Sequence, residues 1–145
     1  MRPRVLLPLV LATTALVLAA CGSSASEPTA QPATMADVDS LTFASTAVTV
    51  DGKDKPLASA EPITIAFAGG QVSIKAGCNT MVGSAAIVDG VLNTGELAST
   101  RMACEPALMD QDAWLARVLS AGPTVTRPDD HSITLTSGGT VIDLA

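Results

Sequence analysis

Ile63-Thr64-Ile65-Ala66-Phe67-Ala68-Gly69-Gly70-Gln71-Val72-Ser73-Ile74 reads as two short strands around a tight turn. Ile63, Ile65 and Phe67 alternate with small or polar residues, the two-residue period of a half-buried strand. Gly69-Gly70 supplies the backbone freedom of a two-residue hairpin, and Val72 and Ile74 resume the alternation. The same grammar recurs on both sides. Residues 41–50 predict a strand that ends at Asp51-Gly52, and residues 81–88 another that turns at Asp89-Gly90 into Val91-Leu92. Residues 132–136 and 140–144 flank Ser137-Gly138-Gly139 as a final hairpin. Successive hairpins imply antiparallel neighbours.

One helix interrupts this pattern, over residues 106–120. Pro106 suits a first helical position, and Glu105, Asp110 and Asp112 place acid toward its positive end. Leu108, Leu115, Val118 and Leu119 share a face by helical spacing. Arg117 stands in the last turns, Gly122 fits a C-terminal cap, and Pro123 forbids continuation. Residues 53–61 and 127–131 read as loops, the second a polar turn. The expected fold is α+β: a small, mostly antiparallel β-sheet or partly open barrel with one helix packed on it.

The front of the chain has a different character. Arg2 and Arg4 precede an apolar run over residues 5–18, which ends in Leu18-Ala19-Ala20-Cys21. A charged start, an apolar middle and small residues before a break make a secretory signal. The run is short of the roughly 20 apolar residues that a spanning helix needs. The break before Cys21, followed by Gly22-Ser23-Ser24, resembles the lipobox of bacterial lipoproteins. That resemblance implies lipidation of Cys21 and a domain held to the cell membrane on its extracytoplasmic side. An ordinary secretory signal with an incidental cysteine, or an uncleaved anchor, are the alternatives. Residues 21–40 are dominated by Ser, Ala, Thr, Pro and Gln, too poor in large apolar groups to offset their ordering entropy. They read as a flexible tether of about 20–25 Å root-mean-square span. The expected organisation is signal peptide 1–20, lipidated cysteine and tether 21–40, and one folded domain 41–145.

Of the 145 residues, the 125 beyond the signal suffice for one small domain. Eight basic residues, two of them in the leader, face 14 acidic ones, so the mature chain carries a charge near −8. Such a chain has no electrostatic footprint for nucleic acid. An anionic membrane surface would not attract it either, so the lipid would do the anchoring. With Cys21 assigned to the lipobox, Cys78 and Cys104 form an even pair in an oxidising compartment, where a disulfide is expected. It would close a loop of 25 intervening residues, and a loop of that length contributes roughly 3–4 kcal/mol. Two buried free thiols are the alternative.

Three pieces then stand together: Ala76-Gly77-Cys78-Asn79 with Gly83, Leu97-Ala98-Ser99-Thr100-Arg101-Met102-Ala103-Cys104, and the helix over 106–120. Jointly they resemble the META domain (HslJ-like) family of small bacterial envelope proteins, from about Phe43 to Leu144. Many members open with a Trp-x-Leu strand, where this chain has Leu41-Thr42-Phe43. The resemblance implies a small envelope module, with links to stress tolerance and envelope integrity in some relatives. The residues also make sense on their own. Gly77 permits close approach, Asn79 can bond its neighbouring backbone or adopt a left-handed conformation, and Gly83 allows a bend or bulge. Thr100 and Arg101 fit backbone hydrogen bonding there. The functional alternative makes Asn79, Thr100, Arg101 and Trp114 a recognition patch beside the Cys78–Cys104 pair.

No catalytic cluster stands out. The single histidine, His131, has no Cys or Glu at metal-ligand spacing. Asp130, His131 and Ser132 are adjacent and do not converge as a triad would. Asp110 and Asp112, two apart on a helix, point to different faces and read as a solvated edge. Gly69-Gly70 and Gly138-Gly139 lack the lysine and following helix of a phosphate loop. The expectation is therefore a monomeric, non-catalytic envelope module without metal or cofactor, acting on an envelope protein or ligand. The alternative is a binder of a small ligand or peptide, a protease-inhibitor-like role for residues 53–61 included. A deep apolar pocket near Trp114 would favour the binder; a filled core favours the module.

Overall fold

A computed structural model describes residues 29–145. The expected signal and Cys21 fall in residues 1–28, outside the described residues. The elements run β1 (Gln31–Pro32), α1 (Met35–Val38), β2 (Thr42–Val50), β3 (Lys53–Asp54), β4 (Thr64–Ala68), β5 (Gln71–Lys75) and β6 (Thr80–Val88). They continue with β7 (Val91–Thr94), β8 (Ala98–Ser99), α2 (Pro106–Ser120), β9 (Thr124–Asp129), β10 (Ser132–Ser137) and β11 (Thr140–Leu144).

Turn chemistry sets the register. Gly69 and Gly70 lie at φ 57° and 72°, the mirror-type turn whose twist matches the paired strands on either side. Asp51-Gly52, Asp89-Gly90 and Gly138-Gly139 adopt the same handedness. The predicted hairpins β4–β5, β6–β7 and β10–β11 form around these turns. Strands pair in the order β9-β10-β11-β2-β4-β5-β6-β7, and β7 returns to β9 with Val91 opposite Thr124. Leu92 N–H donates to Pro123 O at 2.9 Å and Val125 N–H to Gly90 O at 2.6 Å.

The eight-stranded barrel is therefore closed, where the sequence pointed to a partly open one. The strand that closes it, β9, contains Arg127-Pro128-Asp129, which the sequence suggested were part of a turn. A shift in the β9–β10 register between Ser132 and Thr134 accommodates that stretch, since a proline in a sheet is tolerated at a bulge.

Alternation fills the interior. Phe43, Ile65, Phe67, Val72, Ile74, Leu92, Val125, Ile133, Leu135, Ile142 and Leu144 are all buried in one cluster, which α2 joins through Leu115, Val118 and Leu119. Phe43 and Phe67 meet edge to face, with ring centroids 6.4 Å apart.

The tether assignment over 21–40 is corrected where the structure describes it. β1 pairs with β9, placing Gln31 opposite Arg127 and Pro32 opposite Thr126. Ala33 and Val38 are fully buried in the barrel core. The Thr34 hydroxyl and N–H both donate to Asp37 Oδ2, at 2.7 and 2.8 Å. Arg127 reaches Asp37 Oδ1 at 2.7 Å, and Gly69 N–H donates to Asp39 at 2.8 Å. The segment looks like a linker by composition but contributes two apolar side chains and a strand's worth of hydrogen bonds.

Residues 29–40 are therefore part of the folding unit. Burial of one valine stabilises by about 1.5–3 kcal/mol, so a chain beginning at Leu41 should melt at least about 5 °C below one beginning at Thr29. Equal melting temperatures would contradict this. The Thr34 hydroxyl, then its N–H, and more weakly Arg127, hold the Asp37 carboxyl below the usual range. Its contribution is complete above about pH 4 and fades as pH falls through the lowered value. In acid titrations of stability, Asp37→Asn should show a shallower loss than the wild type.

Candidate functional site

The β5–β6 connection, the segment after β8 and the helix α2 meet at one corner. Gly77 is needed there for proximity: a Cβ would stand 2.7 Å from Leu108 O of the helix. This lets the connection lie directly on α2. Asp112, 7% exposed, turns its carboxylate onto that connection. Its Oδ2 accepts Asn79 N–H at 2.8 Å and Cys78 N–H at 3.2 Å, and Asn79 Nδ2 donates to it at 3.3 Å. A buried carboxylate is tolerable only with such a shell of donors. Beside it, Gln111 Nε2 donates to Ala76 O, and Gln111 Oε1 accepts Ala58 N–H at 2.6 Å. The expected solvated edge at Asp112 is thus corrected, because the residue shares the helix face of Leu108 and Leu115.

The chain of bonds continues outward. Asn79 Oδ1 accepts the Thr100 hydroxyl at 2.9 Å and Met102 N–H at 2.8 Å. Thr80 N–H donates to Thr100 Oγ1 at 3.1 Å, and Thr100 N–H to Thr80 O at 3.1 Å. Cys78 and Cys104 are bonded, with Cα atoms 6.1 Å apart. Asn79 has no left-handed backbone; its amide instead binds groups distant in sequence. Gly83 stands in regular pairing opposite Val72 and makes room for Leu97 and Glu96, whose atoms would lie 2.9–3.0 Å from a Cβ.

The four residues of the expected recognition patch separate. Asn79 is buried and fully engaged, and Thr100 sits above it at the rim. The Arg101 side chain is exposed and pairs with no acid among the described residues. Met102 beside it is 60% exposed. Trp114 belongs to another surface, a groove bounded by Lys55, Pro56 and Arg117. Part of Trp114 packs on the core, and Lys55 Nζ stands 4.8 Å from its ring centroid. Residues 53–61 are tied down: Lys55 N–H donates to Val48 O at 2.8 Å, and Leu57 packs against the core. His131 is exposed in a turn. Its N–H, then the Ser132 hydroxyl, hold the Asp129 carboxyl below the usual range, while Asp130 is taken by Arg127 at 2.8 Å.

Asp112→Ala leaves the N–H groups of Cys78 and Asn79 without an acceptor, and each such buried donor costs about 1–3 kcal/mol. We expect a loss of about 2–4 kcal/mol in urea unfolding, against at most about 0.5 kcal/mol for Asp110→Ala. Similar losses for both would refute the assigned role of Asp112. Thiol counting under denaturing conditions should find Cys78 and Cys104 unreactive, and Cys78→Ser with Cys104→Ser should cost roughly 3–4 kcal/mol.

A family model described as META domain matches residues 38–145. A solved structure described as an NMR structure of a protein from Burkholderia xenovorans is similar over 95% of this chain and 97% of its own, with 25% identity and a TM-score of 0.66. A second NMR structure is similar over 77% of this chain and 93% of its own, with 24% identity and a TM-score of 0.61. No match is found among curated proteins. The closed barrel, the Gly-Cys-Asn corner and the Thr-Arg-Met-Ala-Cys segment that meets it thus lie within one matched domain, and the chain belongs to the META domain family.

Proposed function

We propose that this protein is a lipid-anchored, non-catalytic interaction module of the cell envelope, held to the extracytoplasmic face of the membrane through Cys21. The Leu18-Ala19-Ala20-Cys21 motif behind an apolar leader supports the anchoring. The Cys78–Cys104 bond suits an oxidising compartment. One observation carries the interaction reading. At the corner where β5, β6 and α2 meet, Asp112 holds Asn79, and the Asn79 amide in turn holds Thr100 and Met102 of the 99–104 segment. What that segment turns outward is Arg101 and Met102, with Met109 also 45% exposed on the adjoining helix. A rigidly held loop that offers one cation and flexible thioethers suits contact with a partner. Polar groups already engaged in structure are poorly placed for acid–base chemistry.

Fatty-acid labelling should mark the wild type and not Cys21→Ala, and the variant should move from the membrane fraction to the soluble one. Equal labelling would overturn the anchoring. A photo-crosslinking residue at Met102 should capture an envelope component that the same residue at exposed Val88 does not. Capture from both positions, or from neither, would overturn the interaction reading.

A further inference from the structure

The groove beside α2 holds an arrangement that the corner around Asp112 does not use. It is an open cavity of about 390 Å³ between residues 55–58 and the helix, a volume within the range of small-ligand sites. Trp114 lines it together with Pro56 and Ala107. Two cations line the same groove. Lys55 lies over the Trp114 ring, and Arg117 follows Trp114 by one helical turn. Neither has an ion-pair partner among the described residues, whereas Lys75 and Arg127 both do. Asp110 is the one acid in the lining, which leaves the groove at +1 on a mature chain near −8. A local positive potential on an acidic protein selects for anions. The wall is fixed as well as charged, because the Gln111 amide ties Ala58 on one side to Ala76 on the other.

We infer that this groove binds a small aromatic monocarboxylate, its ring against Trp114 and its carboxylate between Lys55 and Arg117. Stacking takes the ligand ring and the indole face out of water together. The carboxylate draws the Lys55 ammonium off the ring and gives it a stronger partner than the cation–π contact it leaves. Asp110 disfavours dianions, so the charge of the lining matches a single carboxylate. The site is independent of where the chain is anchored, and its failure would leave the anchoring and the Met102 surface untouched.

Trp114 is the sole tryptophan and the chain has no tyrosine, so intrinsic emission reports on this groove alone. The purified protein is titrated with 3-phenylpropionate, 3-phenylpropanol and 3-phenylpropylamine. The acid should change the emission saturably and bind at least about tenfold tighter than the alcohol, with the amine weaker still. It should also raise the melting temperature. The double variant Lys55→Gln with Arg117→Gln should lose at least about tenfold in affinity for the acid and keep its affinity for the alcohol. If that variant melts early, Arg117→Gln alone, at an exposed helical position, should lose at least about threefold. No saturable change up to about 10 mM acid, equal binding of acid and alcohol, or unchanged affinity in the variants would each overturn the inference.

Discussion

The carboxylate of Asp112 is the constraint on which the rest of this structure depends. One buried side chain accepts the N–H groups of two consecutive residues, Cys78 and Asn79. In doing so it fixes the position of α2 against the barrel, with Leu115 and Leu119 directed into the core. It also fixes the β5–β6 connection, whose Asn79 amide then sets the path of residues 100–102. The disulfide fastens the same corner a second time, through covalent bonds. The two fastenings differ in kind. The carboxylate acts in the folded state, whereas the crosslink acts largely by restricting the unfolded chain.

Both outward surfaces are built on α2 and inherit its rigidity. Asp112 holds Asn79, whose amide holds the segment that displays Arg101 and Met102, while Trp114 and Arg117 line the groove behind residues 55–58. Between them runs Gln111, whose amide ties Ala76 to Ala58. The barrel interior is filled with side chains, so both surfaces proposed for recognition lie on its outside.

Much of the fold was legible because turn chemistry is local. Asp51-Gly52, Gly69-Gly70, Asp89-Gly90 and Gly138-Gly139 each specify a reversal regardless of what lies elsewhere, and α2 carries its own start and stop. The parts that escaped depend on distant partners. β9 contains a proline and two charged residues in its second half, and only a register shift against β10 makes it a strand. Residues 29–40 are compositionally a linker; Ala33 and Val38 become core only because the barrel offers them a place. Asp112 escapes a sequence reading for another reason. Its spacing to Leu108 and Leu115 put it on the buried face, but its charge argued for solvent, and the two N–H groups that settle the matter come from a connection 33–34 residues earlier. Trp114 and Asn79 are expected in one patch, yet Asn79 is buried against Asp112 while Trp114 lines the groove beside residues 55–58.

The order of strands has a consequence for how this molecule comes into being. β2, near the start of the described residues, finds its neighbour in β11, at the very end, with Val48 opposite Ile142. β1 likewise waits for β9. A nascent chain can form individual hairpins early, but no sequence of local steps closes the wall; the last strand must arrive first. Until then β2 lacks its neighbour on one edge. Premature closure is forbidden by topology, and the wall is complete only once β11 lies against β2.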